Sequence, residues 1–201
     1  MEYTRLNNGV EMPILGFGTF MLQGDECEQA VAQAIQAGYR MIDTAEAYGN
    51  EAAVGRGIKA SGVKREELFL VTKVNYKSYE DAAAAFERSL EYLQTDYVDL
   101  LLLHWPFANY YAAWRVLERL YAEGRVRAIG VSNFYPDRLV DICSFARIKP
   151  MVNQVETHPL NQQVEAKKWM DKYGVQIEAW APFGEGRGSM FQNPVLNEIG
   201  K

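Results

Sequence analysis

Four residues of this chain carry side chains suited to placing a proton on an oxygen: Asp43, Tyr48, Lys73 and His104. Asp43 closes the run MID, Tyr48 follows five residues later, Lys73 ends LFLVTK and His104 ends VDLLLLH. An ammonium beside a phenol stabilises the phenolate and lowers the phenol's pKa from its usual value of about 10. A carboxylate beside that ammonium keeps it charged and fixed. A neutral imidazole can hydrogen-bond a carbonyl oxygen and polarise it. Gathered in one dry pocket, the set suits protonation of an oxyanion as it forms. Taken singly, each residue has a plainer use. Asp43 can cap a helix or a turn, Tyr48 can sit at a rim, Lys73 can be solvated, and His104, after four leucines, can be a satisfied core histidine. Their joint placement on three consecutive strand ends is what favours chemistry.

That placement depends on the elements. The opening reads as a hairpin, with Tyr3 to Leu6 and Glu11 to Pro13 flanking the turn composition Asn7-Asn8-Gly9. Seven short apolar runs follow: Ile14 to Thr19, Met41 to Ala45, Leu68 to Lys73, Val98 to His104, Arg127 to Ser132, Val152 to Glu156 and Gln176 to Ala181. Most are continuous rather than alternating, as strands covered on both faces are. Between them lie segments of helical period. Cys27, Ala30, Val31, Ala34 and Ile35 form one stripe before Gly38, and Phe86, Leu90 and Leu93 form another within Glu80 to Gln94. Trp114, Leu117 and Leu120 precede Gly124, Pro136 opens Asp137 to Ala146, and Asn161 can cap a segment running to Tyr173. Asn193-Pro194 opens a helix expected to be still running at Lys201.

Unbroken βα alternation points to one all-parallel α/β domain over residues 1–201. A doubly wound sheet would want a glycine fingerprint at its first strand-helix turn, and Gly16-Phe17-Gly18-Thr19 is only a fragment of one. A (β/α)₈ TIM barrel instead builds its site on a ring of C-terminal strand ends. Asp43, Lys73, His104, Asn133 and Glu156 stand at five such ends, which favours the barrel. Seven strands are counted where eight close a barrel, and the 201 residues fall short of the typical figure of about 250.

Composition narrows the class of partner. Net charge is −5 with no basic block, which disfavours nucleic acid and anionic membranes. No apolar run reaches transmembrane length, and the N-terminus lacks a signal-peptide pattern. The two cysteines, Cys27 and Cys143, read as buried free thiols rather than as a disulfide or metal pair. A cytoplasmic setting is expected, no metal site is expected, and oligomeric state is not readable.

Seven stretches, in order along nearly the whole chain, then resemble one family. They are GFGTF (16–20), IDTAEAYGNEAAVG (42–55), FLVTK (69–73), VDLLLLHWP (98–106), IGVSNF (129–134), NQVETHP (153–159) and AWAPFG (179–184). The chain is identified by them as resembling the aldo-keto reductases. The resemblance implies an NADP(H)-preferring barrel with no separate dinucleotide-binding subdomain, reducing a small carbonyl substrate by hydride transfer. It places the family's tetrad on Asp43, Tyr48, Lys73 and His104. Tyr48 would be proton donor, its pKa lowered by Lys73 and Asp43, and His104 would orient the carbonyl. It assigns Ser132, Asn133 and Gln154 to the nicotinamide carboxamide, Trp180 to stacking under that ring, Thr19 to a cofactor contact and Arg187 to phosphate charge. Phe20 would wall the substrate pocket, together with Trp105 and Tyr76. His158, in a loop before Pro159, reads as structural.

The resemblance also implies a further strand, helix and loop that grip the adenosine 2′-phosphate. The chain therefore reads as a barrel lacking its last strand and helix, with weakened NADP(H) affinity expected. Ala181 stands where a serine is common. Two alternatives remain at this stage: a catalytically impaired barrel acting as a binding or vestigial protein, and a Schiff-base aldolase using Lys73. The second is disfavoured because Asp43 should keep that amine protonated.

Overall fold

The computed structural model describes residues 1–186 and 189–201. The chain opens with an antiparallel hairpin of β1 (Tyr3–Arg5) and β2 (Glu11–Pro13), with Gly9 in its turn at φ 89°. Seven parallel strands follow: β3 (Gly16–Gly18), β4 (Met41–Asp43), β5 (Phe69–Val74), β6 (Val98–Leu103), β7 (Val126–Ser132), β8 (Val152–Glu156) and β9 (Gln176–Trp180). Six helices join them: α1 (Gly24–Gln36), α2 (Glu51–Ser61), α3 (Ala82–Leu93), α4 (Tyr110–Ala122), α5 (Pro136–Phe145) and α6 (Val164–Tyr173). A final helix, α7 (Pro194–Ile199), follows a 3₁₀ segment.

Sheet order follows chain order from β3 to β9. A doubly wound sheet reverses its strand order at a switch point, and this sheet does not. The sheet also curls. Gln154 on β8 donates to Asp43 on β4 at 2.9 Å, although the two strands lie four places apart. In a flat sheet four steps would separate them by roughly 19 Å. The fold is therefore α/β, a barrel wall of seven parallel strands with helices outside. Among the described residues β3 and β9 each pair on one side only.

The core has two layers. Strands β5 and β6 are buried along their whole length, with Leu100 to Leu103 at most 1% exposed. Outside the sheet, α1 buries Cys27, Val31, Ala34 and Ile35, the stripe that its sequence shows. Helix α3 buries Phe86, Leu90 and Leu93, and α4 buries Trp114, Leu117 and Leu120. Both cysteines are buried free thiols. Among the described residues no helix is long and apolar enough to cross a membrane.

Several expectations are corrected. Helix α2 was not anticipated. Asn161 does not cap α6. Its amide donates to the Glu156 carbonyl, its backbone bridges His158, and the helix starts only after Gln163 at φ 53°. The first parallel strand covers Gly16–Gly18 rather than Ile14 to Thr19, because the Ile14 N–H is drawn to Glu2 of the hairpin. Helix α7 is capped by Asn193 as expected, through bonds from Val195 and Leu196 N–H, but ends at Ile199.

Candidate active site

The site is built at the C-terminal ends of the strands. Asp43 is the last residue of β4, and the chain then turns through Thr44 and Ala45 into a short 3₁₀ helix, Glu46–Tyr48, closed by Gly49 at φ 67°. That turn is braced on three sides. Asn50, buried, accepts from the Thr44 hydroxyl and donates to the Thr19 and Leu22 carbonyls. The Glu46 carboxylate accepts from Asn75 N–H and the Ser78 hydroxyl beyond β5. Gln23 donates to the Tyr48 carbonyl. The phenol is thus carried by a loop whose polar backbone is satisfied from neighbouring units.

Lys73 on β5 is 1% exposed. Its Nζ donates to Asp43 Oδ1 at 2.7 Å, to the Thr44 carbonyl at 2.9 Å and to the Tyr48 hydroxyl at 3.5 Å. The same ammonium stands 5.1 Å from the centre of the Tyr48 ring. His104, following β6, meets Tyr48 edge to face with ring centres 5.8 Å apart. Acid, amine, phenol and imidazole are brought together at one mouth.

The electrostatics refine the expected roles. Burial works most strongly against a charged Lys73, but the Asp43 carboxylate, with Tyr48 and Glu178 adding to it, holds the amine's pKa above its ordinary value. Burial pushes the Tyr48 phenol up; Lys73 pulls it down, and Asp43 pushes it up again. The expectation that Lys73 and Asp43 together lower the phenol's pKa is therefore corrected. Lys73 acts in the expected direction, Asp43 in the opposite one, and desolvation prevails. Burial, with Lys73 adding to it, lowers His104 to about 3. At neutral pH the site holds a protonated phenol, a protonated amine and a neutral imidazole. Its Nδ1 is buried with no hydrogen-bond partner among the described residues.

The remaining expected residues fall in two groups. Ser132, Asn133, Gln154 and Trp180 form one connected set. Ser132 Oγ donates to the Gln154 carbonyl, and Asn133 Nδ2 donates to Ser132 Oγ and to the His104 carbonyl. Trp180 Nε1 donates to Asn133 Oδ1 at 2.9 Å. Asn133 reaches these partners because it adopts φ 62°, a left-handed conformation that asparagine tolerates. Gln154 donates to Asp43 Oδ2 and to Glu178 Oε1, and its own side-chain oxygen takes no bond from any described residue. Thr19 is fully buried, with its hydroxyl committed to the Asp43 carbonyl, so its side chain ties β3 to β4 behind the site. Arg187 lies outside the described residues.

The second group is aromatic. Phe20, 57% exposed, packs on Tyr48 at 5.1 Å between ring centres. Trp105 stacks between His104 and Phe107, and Phe107 meets Tyr76 edge to face. Buried Tyr79 fixes this wall, donating to the Trp105 carbonyl and accepting from its N–H. His158 bonds Glu156 and Leu160 N–H within its own loop, away from the tetrad. Phe107, Glu46, Asn50 and Glu178 were not singled out by sequence. Glu178 had a signal: it lies two residues before Trp180 on a strand, hence on the same face.

Comparison with known proteins follows the same lines. Residues 14–195 match the Aldo/keto reductase family. The chain is 50% identical to glyoxal reductase of Bacillus subtilis (strain 168), an alignment covering 98% of this chain and 72% of that protein. The crystal structure of MGS-M4, an aldo-keto reductase from a deep-sea metagenome library, superimposes with TM-score 0.94 at 43% identity, covering 98% of this chain and 74% of the other. A Bombyx mori aldo-keto reductase in complex with NADP superimposes with TM-score 0.87 at 36% identity, over 91% of this chain and 67% of that one.

Proposed function

This chain belongs to the aldo/keto reductase family, and from that premise we propose that it reduces an aldehyde or ketone to an alcohol with NADPH, Tyr48 supplying the proton. The observation that carries the reading is the Lys73 ammonium, bonded to Asp43 at 2.7 Å and reaching the Tyr48 hydroxyl at 3.5 Å beside a neutral imidazole. NADPH, when bound, supplies the hydride.

The chain's residues do the rest. The neutral His104 ring offers an N–H to the substrate oxygen and polarises the carbonyl. As negative charge grows on that oxygen, Tyr48 gives up its proton, and Lys73 stabilises the phenolate left behind. Asp43 keeps Lys73 charged. The aromatic wall of Phe20, Trp105 and Phe107 excludes water and accepts an apolar substituent. An amine held protonated has no lone pair for a Schiff base, which speaks against the aldolase alternative.

The residues fit a nicotinamide. Gln154 has an unpartnered acceptor oxygen suited to a carboxamide N–H, and Asn133 Oδ1, already bonded by Trp180, has a second lone pair. Trp180, half-buried, would stack against the ring. The similarity to glyoxal reductase makes glyoxal the first substrate to try.

The test is NADPH consumption with glyoxal, comparing wild type with Tyr48→Phe. Loss of a general acid should lower kcat by about 10²–10⁴-fold. Equal rates in the two proteins would reject Tyr48 as proton donor. NADPH binding without turnover in either would favour a binding role.

A further inference from the structure

We propose that Glu178 is a fifth ionisable member of this site, a positioning residue whose neutral carboxylic acid fixes the Gln154 amide and spares Asp43 a second negative charge beside it. The inference rests on the carbonyl-reductase reading for the part Gln154 plays. Neither the motifs nor the tetrad calls for an acid at this place.

Glu178 and Gln154 are register partners on β9 and β8. Gln154 Nε2 donates to Glu178 Oε1 at 2.8 Å and to Asp43 Oδ2 at 2.9 Å. A primary amide has two N–H donors, and here two carboxyl groups take both. Turning the amide over would set its oxygen against the Asp43 carboxylate, which has no proton to offer, and would give up the bond to Glu178 Oε1. The Gln154 oxygen is thereby held as a pure acceptor, the group a carboxamide N–H needs. Glu178 does not touch the reacting atoms and acts only through Gln154 and Asp43.

The other oxygen decides the charge. Glu178 Oε2 is buried and has no hydrogen-bond partner among the described residues. A full negative charge there would be a buried charge without its own donor, a costly arrangement. The groups facing Glu178 are Asp43 from β4, Lys73 from β5, Tyr48 from the loop after β4 and Gln154 from β8. Burial and the Asp43 charge push the acid up to about 8, against the pull of Lys73 and of the Gln154 bond.

The acid is thus neutral at pH 7 and ionises as pH rises past about 8. Once ionised it raises the pKa of both Tyr48 and Lys73. A higher phenol pKa makes Tyr48 a weaker proton donor. The kcat/KM for reduction should therefore show a falling limb near pH 8, well below the titration of Tyr48 itself.

The substitution that isolates this is Glu178→Gln, which keeps an acceptor for Gln154 and removes the proton. Expected is loss of the limb near pH 8 from the kcat/KM profile. Glu178→Leu, which removes the acceptor as well, should raise the KM for NADPH several-fold, because the Gln154 amide then keeps only its bond to Asp43 and is held less firmly. The second readout needs no cofactor. Infrared difference spectra of the wild-type protein between pH 7 and pH 9 should show loss of a protonated-carboxyl stretch that is missing from Glu178→Gln. Coincident pH profiles for wild type and Glu178→Gln, or no protonated-carboxyl band in the wild type at pH 7, would overturn the proposal. If no protein consumes NADPH, the carbonyl-reductase reading fails instead, and the infrared band alone decides the state of Glu178.

Discussion

At the scale of single residues, the site is a set of groups held in the protonation states their surroundings select. His104 gives the most direct consequence for stability. Burial first, and Lys73 second, lower its imidazole to about 3. In the unfolded chain it titrates near its ordinary value of about 6.5. Above pH 6.5 neither state binds the proton, so stability does not depend on it. As pH falls below 6.5 the unfolded chain takes up a proton that the folded chain excludes, and stability falls until about pH 3. At about 1.4 kcal/mol per unit, the penalty reaches about 3 kcal/mol near pH 4. His104→Gln removes this titration. Its urea midpoint should drop less between pH 7 and pH 4 than the wild-type midpoint does, and parallel drops would reject the argument. The tetrad was legible in the sequence because each member closes an apolar run or shortly follows one. Strand ends can be read without coordinates, and one shared mouth follows from them. The direction of the phenol's pKa was not legible, because desolvation depends on what covers Tyr48 from other units. Glu178 was passed over inside QIEAW, where its partners come from strands far off in the sequence.

At the scale of elements, the strands and most helices could be read from apolar runs and stripes, and the failures have local causes. Helix α2 carries Gly55 and Gly57 within EAAVGRGIKA, and glycine costs a helix about 1 kcal/mol relative to alanine. Propensity argues against this helix, and packing requires the glycines. A Cβ on Gly57 would stand 2.7 Å from the Glu28 carbonyl oxygen and 2.8 Å from Val31 Cβ, both on α1. A Cβ on Gly55 would stand 2.7 Å from the Tyr92 carbonyl oxygen on α3. Close approach of three helices thus replaces propensity as the reason for α2. Gly57→Ala gains about 1 kcal/mol of helix propensity, while overpacking costs about 1–3 kcal/mol. The obstacle is the backbone of α1, which cannot swing aside as a side chain would. The net expectation is destabilisation by about 1–2 kcal/mol, read from the chemical unfolding midpoint. An unchanged or raised midpoint would mean that α1 gives way freely. Asn161 failed as a predicted cap for a related reason. Its amide satisfies the carbonyl at the end of β8, a partner no local pattern reveals.

At the scale of the whole molecule, chemistry and stability are assigned to opposite ends of the barrel. Asp43, Lys73, His104, Asn133 and Trp180 all lie at C-terminal strand ends or just beyond. The other end is closed by the N-terminal hairpin, whose turn bonds to places more than a hundred residues away. Asn7 donates to the Pro150 and Gly174 carbonyls, just before β8 and β9, and Asn8 donates to the Arg127 carbonyl at the start of β7. Near it, buried Asp99 on β6 holds Arg127 at 2.6 Å and Arg65 at 2.8 Å. Of these, the turn asparagines are the cleaner probe, because removing Asp99 would strand two arginines. In such barrels the N-terminal face serves stability and the C-terminal face function. Replacing Asn7 and Asn8 together by alanine leaves three carbonyls and the Tyr121 hydroxyl short of a donor and the Val10 N–H short of an acceptor, two of the five bonds being solvent-exposed. Exposure lets water take over in part, so the cost should lie at the low end of the usual range, about 1–3 kcal/mol for the pair. The unfolding midpoint should fall accordingly. The kcat for NADPH-dependent reduction, measured well below that midpoint, should not change, because no strand end at the mouth is touched. A fall in kcat matching the fall in stability would show that the hairpin sets the positions of β7, β8 and β9, and so of Asn133, Gln154 and Trp180, through the full length of the strands.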